Sequence, residues 1–137
     1  MRALRLPRAW NAGLLAAGIV MTGCGSDSPT SPGIQPQIAN LPDDFSYQVS
    51  AVTNFTGVYV YAWENTGVAA NINQATTVTA GTITLQVTDA NRTQVYSRSL
   101  SDNGTFVTAN GVAGTWRLRL SYAGASGTVN FRVQKKT

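Results

Sequence analysis

Thr82-Ile83-Thr84-Leu85-Gln86-Val87-Thr88 alternates without a break: Ile83, Leu85 and Val87 fall on one side, and Thr82, Thr84, Gln86 and Thr88 on the other. A period of two is the mark of a half-buried β-strand, because successive side chains leave a pleated backbone on opposite faces. The signal recurs outward along the chain. Strands are expected at about Phe45 to Val52, Gly57 to Glu64, Val68 to Asn73, Thr76 to Ala80, Thr82 to Thr88, Thr93 to Leu100, Gly104 to Ala109, Gly114 to Tyr122 and Gly127 to Gln134. No proline follows Pro42, and no helical period interrupts the pattern. The expected fold is all-β, a single antiparallel β-sandwich of jelly-roll or immunoglobulin-like type built from about eight or nine short strands over residues 41–137.

The last two runs suggest a register. A hairpin loop from Ala123 to Ser126 would set Leu120 opposite Val129, Leu118 opposite Phe131 and Trp116 opposite Val133, three apolar pairs on one face. The same register sets Arg117 opposite Arg132 on the outer face, with Arg119 beside Asn130. Like charges opposite one another are unfavourable, and an anionic partner would relieve them. Arg117, Arg119 and Arg132, with Arg98 as a further member, therefore form an expected basic strip for an anionic envelope polymer. A second candidate contact lies on the second strand, where Tyr59, Tyr61 and Trp63 share one side and Val58, Val60 and Ala62 the other. Exposed, such aromatics would stack on sugar rings or dock a protein; buried, they are core.

Catalysis can be weighed by inventory. The chain has no histidine and one cysteine, which removes Ser-His-Asp triads and histidine-ligated zinc. The carboxylates of the domain, Asp43, Asp44, Glu64, Asp89 and Asp102, are scattered, and Asp89 and Asp102 sit in turn sequences. Neither turn has the spaced oxygen ladder of a calcium loop, and Asp43-Asp44 at the domain edge is the remaining pair with any such character. The expectation is no enzyme, no catalytic residue, no cofactor and no metal.

The N-terminus gives an address. Arg2, Arg5 and Arg8 precede an apolar run from Ala9 to Met21 that is too short to span a bilayer, the layout of a cleaved signal peptide over residues 1–23. Met21-Thr22-Gly23-Cys24 resembles the bacterial lipobox, with Met21 where Leu is usual. The resemblance implies acylation of Cys24, anchoring in a lipid bilayer, a bacterial envelope location and, with Gly25 following the cysteine, delivery to an outer membrane where the host has one. Residues 24–40, rich in Ser, Pro, Thr and Gly, read as a tether. The formal charge of +4 then falls to +1, because three cations leave with the signal and all six acids stay. A nucleic-acid partner is excluded on charge and compartment.

Gly111-Val112-Ala113-Gly114-Thr115-Trp116-Arg117-Leu118-Arg119-Leu120 and Ser126-Gly127-Thr128-Val129-Asn130-Phe131-Arg132-Val133 resemble the closing hairpin of bacterial pre-peptidase C-terminal domains and related secreted jelly rolls. Ala80 to Asp89 is similar to the strand and turn those domains carry upstream, with Asn91-Arg92 where Gly is common. The resemblance implies a non-catalytic accessory role in attachment or substrate contact. Two readings follow: a membrane-anchored surface binding or adhesion module with a glycan, envelope-polymer or protein partner, and a structural envelope lipoprotein without a soluble ligand.

Overall fold

A computed structural model describes residues 34–137, which form one compact unit. The expected signal peptide, the lipobox cysteine Cys24 and most of the tether lie outside the described residues. The described chain is all-β, with seven antiparallel strands: β1 (Gln37–Leu41), β2 (Asp44–Asn65), β3 (Ala70–Gln74), β4 (Thr77–Thr88), β5 (Gln94–Ser99), β6 (Gly104–Val107) and β7 (Gly114–Lys135).

Two differences from the expected strands decide the architecture. β2 and β7 are each 22 residues long, so runs expected as separate strands are continuous. There is no hairpin at Ala123 to Ser126; β7 runs straight through it. Trp116 therefore faces Trp63 on β2, not Val133, and Val133 faces Phe45. Glycines 124 and 127, which signal a turn when read locally, instead mark a bend in a long strand. The domain also starts earlier than expected, since β1 takes in residues assigned to the tether and pairs with β2 through a two-residue turn, Pro42-Asp43. Pro42 suits the first turn position, and Asp43 at φ 65° fills the second, where a left-handed conformation is required.

β7 is the central strand. β2 lies along one edge for its whole length, and β3 followed by β4 lies along the other in one continuing register, from Ala70↔Lys135 to Thr88↔Arg117. β1, β6 and β5 add outer strands to β2, β3 and β4. The two strands that flank β7 are irregular at the same level: β2 slips between Val49 and Gly57, and β4 between Val78 and Thr82. Bulges bend strands, and here they fold the sheet back on itself into a sandwich. Tyr47 and Tyr61 would be roughly 45 Å apart on a straight strand, yet their rings are 5.9 Å apart. The Tyr47 and Tyr122 hydroxyls meet across the fold at 2.7 Å.

One half of the sandwich consists of β1, the start of β2, the end of β7, β3 and β6; the other consists of the end of β2, the start of β7, β4 and β5. Phe45, Tyr47, Ile72, Phe131 and Val133 from the first half meet Trp63, Ile83, Leu85, Trp116 and Leu118 from the second in one buried core. Fully burying each such side chain contributes about 1.5–3 kcal/mol. Gln74 and Tyr96 enter the core as a satisfied pair: the Tyr96 hydroxyl donates to Gln74 Oε1 at 2.7 Å, and the Gln74 amide donates to the Ser99 and Asp102 carbonyls.

Candidate functional site

The aromatic row faces inward. Trp63 is 1% exposed, stands edge-on to Trp116 at 6.1 Å and donates its indole N–H to the Leu41 carbonyl at 3.0 Å. Tyr61 and Tyr59 are half-buried at the edge of the core, Tyr61 against Phe45 and Tyr47, and Tyr59 stacked on Phe55. Burial raises the Tyr61 phenol above its usual range, and burial followed by the bond to Tyr122 raises that of Tyr47 far more. What the strand shows to solvent is Val58 and Val60, 51% and 54% exposed. Of the two readings of Tyr59, Tyr61 and Trp63, the structure takes the buried one: the row is an inner face, which corrects its candidacy as an exposed ligand contact.

The basic strip is also divided. Arg117 and Arg119 are exposed on the outer face of the second half, opposite Ala62 and Val60. Arg132 is exposed on the outer face of the first half, opposite Ser46 on β2 and Asn73 on β3. Without the closing hairpin, Arg117 and Arg132 do not face each other, and the like-charge argument for an anion between them falls. Arg98 pairs with Asp102 at 3.5 Å and lies over the Phe106 ring at 4.0 Å.

The carboxylates hold turns. Asp43 accepts from the Thr66 N–H at 2.7 Å and the Thr66 hydroxyl at 2.9 Å, which with Lys135 nearby keeps its carboxyl below the usual range. Asp89 accepts from the N–H groups of Asn91, Thr93 and Val112, and is held low chiefly by the Thr93 bond. Among the described residues no three carboxylate, histidine or cysteine side chains converge as metal ligands.

What the sequence reading missed is the outer face of the first half. Strand register places Gln37, Gln48 and Asn130 in one row across β1, β2 and β7. The next row is Ala39, Ser46, Arg132, Asn73 and Thr105, and the one after contains Asp44, Gln134 and Asn71. Between these rows lies an open groove of about 660 Å³, in which Arg132 is the one charged lining residue among five Asn and Gln side chains. Such amides present both donors and acceptors, and the guanidinium adds five donors in a planar fork. The ingredients were visible as polar alternation in Ser46, Gln48, Asn130, Arg132 and Gln134, but only the pairing of β2 with β7 brings them side by side.

No family model and no curated protein matches the chain. Among solved structures, KdgF from Halomonas sp. is similar at 17% identity and a TM-score of 0.34, with 80% of this chain and 86% of that chain covered. The expectation that the chain is not an enzyme gains no support from this likeness. At that TM-score the likeness transfers no activity.

Proposed function

We propose that this chain is an envelope-anchored surface module whose folded domain binds a hydroxyl-rich polymer, a glycan, in the amide-lined groove on the outer face of β1, β2, β7 and β3. The observation that carries the reading is the groove itself: five amides and one guanidinium line about 660 Å³ of open space on a rigid sheet. Polar groups on a sheet are positioned by the ladder, so a ligand meets them already ordered and the entropy cost of binding is reduced. Anchoring rests on the motif ending at Cys24, through which acyl chains would attach the module to the lipid bilayer.

The test is binding of the full chain to a panel of polysaccharides, with Gln48→Ala and Asn130→Ala combined as the variant. Both side chains are exposed, so the fold is retained. Loss of two amide contacts at about 1 kcal/mol each weakens binding roughly 30-fold. Equal affinity of variant and wild type for the same glycan would show that the groove is not the site. The burial of Trp63 favours a second reading, a structural lipoprotein without a soluble ligand, since it removes the aromatic platform most sugar sites use. That reading predicts no binding to any member of the panel.

A further inference from the structure

The position of Arg132 within the groove narrows the ligand, and this step rests on the glycan reading above. Arg132 lies on the middle row, with the Gln37-Gln48-Asn130 row on one side and Gln134 on the other. Asn130 to Gln134 covers roughly 13 Å of strand, so the guanidinium has neutral amides before and after it along β7. Its row-mates toward β1 are Ser46 and Ala39, whose small side chains leave the fork open to solvent. On the other side Asn73 is tied to the Thr105 hydroxyl at 2.9 Å. The ion pairs of the described residues are Arg98 with Asp102 and Lys135 with Asp43, and Asp44, in the row beyond Arg132, pairs with neither it nor another cation.

An exposed arginine with no carboxylate partner, set among amides, is suited to one anionic group within an otherwise neutral, hydroxyl-bearing ligand. A planar carboxylate matches the guanidinium fork in two parallel bonds. A polymer with an anion on every unit would lay further negative charge over Asn130 and Gln134, which offer no compensating cation, and toward Asp44. A glycerol-phosphate chain has too few hydroxyls for the four amides Gln37, Gln48, Asn130 and Gln134. We infer that the groove selects an acidic polysaccharide in which a carboxylate-bearing sugar alternates with neutral ones, Arg132 holding the carboxylate while Gln37, Gln48, Asn130 and Gln134 bind hydroxyls to either side.

The experiment measures affinity of the full chain, in detergent, for four probes of matched length: dextran as the neutral polymer, hyaluronan as the alternating acidic one, polygalacturonate as the fully acidic one, and a poly(glycerol phosphate). Hyaluronan should bind about tenfold or more tightly than dextran, the increment of one charge-assisted contact, and more tightly than polygalacturonate. Arg132→Gln should bring hyaluronan down to the dextran level, Arg132→Lys should restore only part, and Arg117→Gln should change nothing. Equal hyaluronan binding by wild type and Arg132→Gln overturns the inference while the groove reading stands on dextran and the amide variant. Strongest binding of polygalacturonate or of the phosphate polymer also overturns it. Failure of all four probes to bind overturns the groove reading and this inference together.

Discussion

Gly127→Ala tests the bend that turns one sheet into a sandwich. Gly127 sits inside β7 with partners on both sides, Val52 on β2 and Val78 on β4. Its φ is 141°, a region that residues with a Cβ rarely adopt. An added Cβ would run into the Thr77 carbonyl oxygen, lying 3.0 Å from the Thr77 carbonyl carbon and 3.1 Å from Val78 Cα. These are backbone atoms, so relief requires β4 to leave β7. Backbone strain contributes about 1–3 kcal/mol, and each ladder hydrogen bond lost adds about 1 kcal/mol. The expected destabilisation is roughly 3–5 kcal/mol, a large share of the 5–15 kcal/mol that holds a typical domain. Urea unfolding followed by the fluorescence of buried Trp63 and Trp116 should show the midpoint falling by about 1–3 M. At the foot of a solvent-exposed hairpin loop the same change would cost well under that. A midpoint within error of wild type would refute the continuous strand.

Trp116→Ala removes a fully buried indole, its edge-on contact with Trp63 and its 2.7 Å bond to the Val112 carbonyl. The loss should be about 3–5 kcal/mol, read as a denaturant midpoint, whereas Arg117→Ala on the neighbouring exposed position should stay within about 0.5 kcal/mol of wild type. Asp89 has a folded pKa below its ordinary 3.8 because backbone N–H groups stabilise the charged form. Its contribution is present above that value and lost as pH falls through the lower folded value. Asp89→Asn should therefore destabilise the domain at neutral pH and flatten the acid limb of its stability profile; an unchanged acid limb would assign that limb to other groups. Cys24→Ser should move the protein from the membrane fraction to the soluble fraction, and persistent membrane association at normal expression would show another anchor.

The strand content was legible because alternation such as Ile83, Leu85 and Val87 depends only on which face of a pleat is buried, and those residues are fully buried. Strand continuity was not legible. Gly124 and Gly127 satisfy a hairpin loop and a bent strand equally well, and what separates them is that β2 and β4 flank β7 through this region, contacts far away in sequence. The error in register carried the arginines with it, placing Arg132 beside Arg117 when its neighbours are Ser46 and Asn73. The aromatic row was read with the correct sidedness, since Tyr59, Tyr61 and Trp63 do share a face. Whether that face was core depended on the fold of the sheet, which brings Phe45 and Tyr47 over Tyr61. The groove stayed hidden because single polar residues in a strand signal only a wet face until their cross-strand neighbours are known.

The most direct test of the groove is amide chemical-shift mapping of the isotopically labelled chain during titration with the best-binding polysaccharide. The account predicts saturable shifts concentrated on Gln37, Ser46, Gln48, Asn73, Asn130, Arg132 and Gln134, the exposed face of the first half. Shifts concentrated instead on Arg117, Arg119 and their neighbours Val60 and Ala62, on the opposite half of the sandwich, would contradict it.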